Sequence, residues 1–282
     1  MQSKFFPLID IGANLSHSSF QQDLDSVLER AREAGIAHII VTGTDHDSIM
    51  SANELHDRYP DFLSLTAGYH PHVAKDFTIE AMNTVREYGL LPQVVAIGET
   101  GLDFNRNYSP RGIQQEVFAS QLEIACQLKK PVFLHQRDAH DCFHGILKEY
   151  RDKLPGGVVH CFTDSRKALY DYLDLDMHIG ITGWICDERR GSELQNLVRE
   201  IPLNRLMLET DAPYLLPRSI EPLPKSRRNE PVYLIEVLKM VSLCTGLKEH
   251  SLAAQSTANA RKLFGLRNHQ LTEQKSELIS DT

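Results

Sequence analysis

The chain has 282 residues, of which 41% are hydrophobic, and a formal net charge of −8. This length and apolar content allow one or two domains with a large core, and the negative charge argues against binding a long polyanion through broad basic surface alone. The charge leaves open a nucleic-acid substrate that is held by a metal ion and a few placed arginines.

Short runs rich in Val, Ile and Leu alternate with longer amphipathic stretches along the chain. Eight runs predict buried strands, at residues 8–12, 37–43, 63–69, 94–99, 131–135, 157–160, 178–182 and 205–209. Apolar residues at helical spacing predict helices at residues 23–34, 114–128, 164–173, 193–200 and 231–244. The alternation of strand and helix predicts a parallel sheet, and strands that are apolar throughout predict that both of its faces are covered.

Eight strand–helix units favour one fold class, α/β, in the form of a closed (β/α)₈ TIM barrel built as a single domain over residues 1–266. An open doubly wound sheet is the alternative, but "DIGANLSHS" after the first strand lacks the glycine-rich dinucleotide turn that would favour it. Residues 267–282, "RNHQLTEQKSELISDT", are polar and without aromatic residues, which predicts a disordered tail.

The cysteine content and the N-terminal residues predict a cytoplasmic protein. The five cysteines form no C-x-x-C pair, which favours small buried thiols in a reducing compartment over disulfides or a zinc ribbon. The opening "MQSKFF" is followed by Pro7 and Asp10 rather than by the apolar segment of a signal peptide. No apolar run approaches the roughly 20 residues of a membrane span, so we expect no association with a membrane.

Polar side chains follow the predicted strands at their carboxyl ends, where a barrel of this kind gathers its active site. In chain order they are Asp10, His70, His72, Glu99, Asp103, His135, Arg137, His160, Glu209 and Asp211. A single histidine at such a position more often makes a structural hydrogen bond than binds a metal. However, two imidazoles and two carboxylates at the same level of four strands, from Glu99, His135, His160 and Asp211, predict a divalent metal ion between them.

Several motifs in a fixed order make the sequence similar to a known family. The segments "GETGLDFNR", "HQRDAH", "HCFTD", "GITGWICDERRG", "ETDAPYLLPR" and "SRRNEPVYL" resemble those of the TatD family of metal-dependent deoxyribonucleases, within the amidohydrolase-like barrel superfamily. The opening "DIGANL" is similar to the bacterial TatD branch, and differs from members whose first strand carries His-x-His. The resemblance covers residues 8–266.

The resemblance implies a metal site formed by Glu99, His135, His160 and Asp211. Where other members carry the two histidines of the first strand, this chain has Gly12 and Asn14, so it lacks two imidazole ligands. A site with fewer nitrogen ligands relies more on oxygen and water. One or two ions are therefore expected, with Mg²⁺ favoured over Mn²⁺ or Zn²⁺.

The resemblance also implies hydrolysis of phosphodiester bonds at the ends of single-stranded DNA, with RNA as a second substrate, in the 3′-5′ direction. DNA repair and DNA degradation are the roles it suggests, and we expect a monomer. The expected catalytic residues are Asp211, which would position or deprotonate the attacking water, Glu99 and His70. His70, Arg137 and Arg228 are expected to contact phosphate, and Glu209 to hold a histidine ligand in place from behind.

Two other functions fit a barrel of this kind. An amidohydrolase acting on a small amide or ester would normally keep the histidines of the first strand and often a metal-bridging lysine, whereas Glu99 stands on the fourth strand here. A non-catalytic binding barrel would explain the missing histidines as decay, but the other polar residues at the strand ends argue against it. An assay with and without chelator, on nucleic acid beside a panel of amides and esters, separates the three.

Overall fold

The computed structural model describes residues 7–266 of the chain. Eight parallel strands pair with one another in the order in which they occur in the sequence. They are β1 (Leu8–Ala13), β2 (Ile36–Val41), β3 (Leu63–Ala67), β4 (Val94–Asp103), β5 (Val132–Arg137), β6 (Gly157–Val159), β7 (His178–Ile181) and β8 (Leu206–Leu208). The helices are α1 (Leu24–Glu33), α2 (His46–Arg58), α3 (Ile79–Gly89), α4 (Arg111–Leu128), α5 (His140–Tyr150), α6 (Arg166–Asp174), α7 (Ser192–Leu197), α8 (Leu234–Thr245) and α9 (Glu249–Phe264).

This architecture confirms the predicted (β/α)₈ barrel. Each of the eight predicted strands overlaps one of β1–β8, with two differences that concern the site. β4 continues to Asp103, so that Glu99 lies within the strand rather than at its end, while β6 and β8 end before His160 and Glu209. The predicted tail, 267–282, lies outside the described residues.

The interior of the barrel is filled with apolar side chains from the strands. This inner cluster includes Ile9, Ile11, Ile40, Val95, Phe133, Val158 and Met207. Ala260 and Phe264 of α9 belong to the same cluster, and Asn259 on that helix donates to the backbone oxygens of Leu203 and Leu206 beside β8. Helix α9 therefore covers the amino ends of the strands, and the carboxyl ends remain open for polar side chains.

The barrel closes between β1 and the residues that follow β8. Asp211 donates its backbone N–H to the oxygen of Gly12 at 2.8 Å, and Asn14 donates to the oxygen of Ala212 at 2.7 Å. A parallel bridge between Ala13 and Ala212 joins the same two segments. Closure of the sheet therefore brings Asn14 and Asp211 together, although 197 residues separate them in the sequence.

Two glycines let β4 run close against β5. Gly98 and Gly101 have φ values of +142° and +149°, a region that L side chains rarely adopt. A Cβ atom at Gly98 would lie 2.1 Å from the oxygen of Phe133, and one at Gly101 would lie 1.8 Å from the oxygen of His135. The register of the two strands shifts between these glycines, where Glu99 lies. The motif "GETG" is thus needed for the shape of the strand that carries Glu99.

Among the helices of residues 7–266, none combines the length and the apolar character that crossing a bilayer requires.

Candidate active site

A cavity of about 690 Å³ opens at the carboxyl ends of the strands. Asn14 lines it, together with eight of the predicted site residues: His70, His72, Glu99, Asp103, His135, Arg137, His160 and Asp211. These eight residues come from five strands and the loops that follow them. The side chains that the sequence places far apart therefore meet in one cavity, which we call the metal cavity.

The carboxylate of Glu99 lies at the centre of three imidazoles. Its Oε1 atom is 2.7 Å from Nε2 of His160, 2.9 Å from Nδ1 of His135 and 3.4 Å from Nε2 of His70. Burial raises the pKa of Glu99, but the neighbouring imidazoles outweigh that effect and hold the pKa well below its usual range. Glu99, which is only 5% exposed, is therefore an ionised carboxylate.

Ligand atoms of His70, Glu99 and His135 all lie within 4.8 Å of one another, which is close enough to surround one metal ion. Nε2 of His135 is buried and has no hydrogen-bond partner among the described residues, since the nearby Oδ2 atom of Asp103 is 3.7 Å away. Nδ1 of His160 and Oε2 of Glu209 also make no hydrogen bond there, but they lie 3.4 Å apart and face each other. Buried imidazole and carboxylate atoms without partners are costly unless something else binds them. This donor set fits a divalent cation.

The cluster contains two of the four predicted ligands, Glu99 and His135. Its third member is His70, for which catalysis and phosphate contact were expected. His160 also contacts Glu99, and Asp211 lines the same cavity from the barrel seam. The structure thus brings all four predicted ligands to one cavity, and their binding of a metal stays a prediction.

Asp103 provides a second carboxylate, for which the sequence pattern predicts no specific role. Its Oδ2 atom lies 2.6 Å from Nε2 of His72 and 3.7 Å from Nε2 of His135, and Asp103 itself is 2% exposed. Burial raises the pKa of Asp103, but the neighbouring imidazoles of His135 and His72 hold it below its ordinary value. Its position four residues beyond Glu99, at the end of the same long strand, is the signal that could have identified it.

Asp211 occupies a strained backbone position at the barrel seam. Its φ is +54°, in the left-handed region, and its Oδ1 atom accepts a hydrogen bond from Nδ2 of Asn14 at 3.0 Å. Burial raises the pKa of Asp211 to about 7. A carboxyl group that titrates near neutral pH is suited to take a proton from water at that pH.

Glu209 and Asp10 lie beneath the cavity and hold its walls. Oε1 of Glu209 accepts the backbone N–H of Cys161 at 2.5 Å, and Oε2 lies 3.4 Å from Nδ1 of His160. Asp10 accepts hydrogen bonds from the backbone nitrogen of Thr210 at 2.9 Å and from its hydroxyl at 2.5 Å. Both carboxylates are 0% exposed. Asp10 therefore tethers the end of β8 rather than facing the cavity.

The two arginines predicted to contact phosphate lie in different places. Arg137 lines the metal cavity. Arg228 does not, because its guanidinium donates to both carboxylate oxygens of Asp23, at 2.8 and 2.7 Å, and to Glu230 at 2.7 Å. These contacts leave its side chain 15% exposed. The structure brings His70 and Arg137 to the cavity and leaves Arg228 in an ion-pair network outside it.

Known proteins resemble this chain over nearly its whole length. A family model described as TatD related DNase matches residues 9–265. A "3′-5′ ssDNA/RNA exonuclease TatD" of Rahnella sp. is 51% identical over 259 residues, which are 92% of this chain and 98% of that relative.

Two solved structures of the family share the fold. YJJV, a TatD homolog from Escherichia coli, has a TM-score of 0.84 and 28% identity, and the match covers 93% of this chain and 100% of that one. A TatD family hydrolase from Entamoeba histolytica has a TM-score of 0.85 and 26% identity, over 93% and 99% of the two chains. Since the family model spans almost the whole barrel and a relative with half of its residues identical covers 92% of the chain, this protein belongs to the TatD family of DNases, as its motifs predicted.

Proposed function

We propose that this protein is a metal-dependent nuclease that removes nucleotides from the 3′ ends of single-stranded DNA and RNA. The observation that carries the proposal is the ionised Glu99 carboxylate, surrounded by three imidazoles at the open end of the barrel. The name of the Rahnella relative supports the substrate and the direction. Membership of the DNase family argues against the amide or ester hydrolase and the non-catalytic barrel.

For the metal, we propose that Glu99, His135, His160 and Asp211 are ligands. His70 lies beside them, but its Nδ1 atom accepts the backbone N–H of His72, which leaves the proton of the neutral ring on Nε2. A bound divalent cation would neutralise charge on the phosphoryl oxygens and make water a stronger nucleophile. Gly12 and Asn14 contribute no imidazole, which favours Mg²⁺ or Mn²⁺ over Zn²⁺ and one or two loosely held ions.

Other roles in hydrolysis, at the attacking water and at the phosphate, are assigned to individual side chains of the cavity. Asp211, which lines the cavity at the barrel seam, positions the attacking water and takes its proton. Burial lowers the pKa of His70 to about 4, so its imidazole is neutral at pH 7 and donates a hydrogen bond to a phosphoryl oxygen. Arg137 supplies a guanidinium whose geometry matches phosphate. Glu209 orients His160 through the contact between Oε2 and Nδ1.

End-labelled oligonucleotides test this function. With a 5′ label, the protein should produce a ladder of fragments that shorten steadily, and with a 3′ label it should release a labelled mononucleotide at once. The reverse pattern would contradict the proposed direction. Hydrolysis of amides or esters, without cleavage of either oligonucleotide, would favour the amidohydrolase alternative.

We further propose that the protein works as a monomer in the cytoplasm. The candidate site lies within a single barrel, at the carboxyl ends of its own strands, which supports a monomer. The five cysteines are free, which agrees with a reducing compartment.

Asn14 gives a test of how tightly the metal is held. Its side chain lines the cavity and reaches Asp211, so an imidazole introduced there would face the proposed ions. We expect Asn14→His to retain more metal than the wild type after dialysis and to shift its preference toward Zn²⁺. Elemental analysis of the dialysed proteins measures both.

Asn14→Leu is the matched control, because it removes the same hydrogen bond to Asp211 without adding a ligand. It should retain no more metal than the wild type. Equal metal content in the two variants, or two tightly held ions in the dialysed wild type, would contradict the inference that position 14 weakens the site.

A further inference from the structure

A second cavity, of about 250 Å³, lies beside the metal cavity and is lined by three arginines. These are Arg189, Arg190 and Arg218, from the loop after β7 and the loop after β8. Trp184 and Leu215 line both cavities, so the two spaces share a wall. We call the second space the arginine cavity.

A buried aspartate organises the arginines. Asp187 is 3% exposed, and its Oδ1 atom accepts the backbone N–H of Arg189 at 3.0 Å. Its Oδ2 atom accepts from Nε of Arg190 at 2.9 Å, while Arg218 pairs with Glu188 at 2.9 Å. Because the carboxylate lies underneath, the guanidinium groups stay at the surface, where the three side chains are 60%, 55% and 43% exposed.

The arginine cavity carries a positive charge on a chain whose net charge is −8. Three guanidinium groups face two carboxylates, those of Asp187 and Glu188, which leaves one positive charge. The carboxylates use only some of the five N–H donors that each guanidinium carries, so donors remain for an anion. A local excess of fixed positive charge is what a chain of this overall charge needs in order to hold a polyanion.

Trp184 connects the two cavities. The Cζ atom of Arg190 lies 4.2 Å from the centre of the indole ring, and that of Arg137 lies 5.6 Å from it. Arg190 lines the arginine cavity and Arg137 lines the metal cavity. One arginine from each cavity therefore lies close to the same indole ring, which places two guanidinium groups, the group that best matches phosphate geometry, along one wall.

We propose that the arginine cavity binds an internucleotide phosphate next to the linkage that is cleaved. This inference rests on the proposed nuclease function, because it takes the cleaved phosphate to lie in the metal cavity. The strand then passes Trp184, and its next phosphates come within reach of Arg190 and Arg218. Short substrates that lack these phosphates bind less tightly, and the cavity makes the enzyme favour the end of a longer strand over a dinucleotide.

Arg190→Gln tests the proposal in two measurements. The first is binding of a 5′-fluorescein hexadeoxynucleotide in chelator, followed by fluorescence anisotropy, in which affinity should fall about tenfold, the size of one lost charged hydrogen bond. In a plot of log affinity against log salt concentration, the slope should become smaller in magnitude by about one. The second is hydrolysis with Mg²⁺, in which Arg190→Gln should raise KM for the hexanucleotide more than it lowers kcat. The variant should therefore prefer the hexanucleotide over a dinucleotide less strongly than the wild type does.

A chemical probe locates the phosphate. The probe is a series of hexanucleotides, each with a neutral methylphosphonate at a different internal linkage. The wild type should bind one member of the series more weakly than the others, namely the one that is neutral at the linkage held by the arginine cavity. Arg190→Gln should not distinguish that oligonucleotide from the unmodified one, since the contact is already absent. If Arg190→Gln loses the same affinity for all of these oligonucleotides, charged or neutral at that linkage, its effect is structural and the proposal is wrong.

Arg58→Gln is the matched control. Arg58 is 54% exposed, pairs with Asp25 at 2.8 Å and lies in the last turn of α2, away from both the metal cavity and the arginine cavity. It should bind the hexanucleotide as the wild type does. Equal affinities of Arg190→Gln and Arg58→Gln, or a wild type that does not prefer the hexanucleotide in either measurement, would overturn the proposal. A wild type that binds through Arg190 but cleaves nothing would instead overturn the nuclease function.

Discussion

Removal of divalent metal should abolish the hydrolysis of single-stranded DNA. The Glu99 carboxylate and the imidazoles around it fit a cation, and Nε2 of His135 is buried without a hydrogen-bond partner among the described residues. Without the cation, the cavity loses the main group that would offset the charge that builds on the phosphoryl oxygens during hydrolysis. We expect activity to disappear in chelator and to return when Mg²⁺ or Mn²⁺ is added in excess.

The control for metal removal is chelator that has been saturated with Mg²⁺ beforehand, which should leave the activity intact. Because no imidazole comes from β1, activity should rise with free ion into the micromolar range or above, rather than survive dialysis. Full activity in protein shown by elemental analysis to be free of metal would contradict the proposed mechanism.

Replacement of Glu99 by glutamine should lower kcat/KM at least about a hundredfold, the size typical of losing a group that stabilises charge in the transition state. Glutamine keeps the shape of the side chain, but it removes the negative charge that three imidazoles face through Oε1. Steady-state kinetics on a labelled oligonucleotide measures the loss, and circular dichroism checks that the barrel still folds.

Glu230→Gln is a matched control for loss of a buried carboxylate. Glu230 is 7% exposed, close to the 5% of Glu99, but it pairs with Arg30 and Arg228 instead of facing imidazoles. This variant should lose stability and keep its activity within a few-fold. Near-normal turnover by Glu99→Gln, or an equal loss in both variants, would mean that Glu99 serves the fold rather than the chemistry.

The sequence predicts the barrel, and the end of the barrel at which the site lies, because both follow from local patterns. Apolar runs define the strands, and parallel strands bring their carboxyl ends to one face, so the amino-acid sequence alone is enough to place Glu99, His135, His160 and Asp211 in one cavity. The helical patterns are weaker: they predict α1, α4, α6, α7 and α8, but they do not predict α2, α3, α5 and α9.

The contacts of individual side chains could not be predicted in the same way. Arg228 pairs with Asp23, 205 residues earlier, and this pairing depends on the packing of two loops that no local pattern records. Likewise, His70 lies in the cluster around Glu99 because the loop after β3 brings its Nε2 atom to 3.4 Å from Oε1 of Glu99, a contact that no local pattern records. Strand direction indicates which residues reach a cavity, whereas rotamers and distant partners decide what each of them does there.

The seam at which the barrel closes also affects the time at which the enzyme becomes active. Asp211 is contributed after the last strand and is held by Gly12 and Asn14 at the end of the first, so its carboxylate is oriented only when both ends of the sheet meet. A chain still being made on the ribosome has β1 but not this partner. The contacts that orient Asp211 therefore form only after synthesis has passed the final strand.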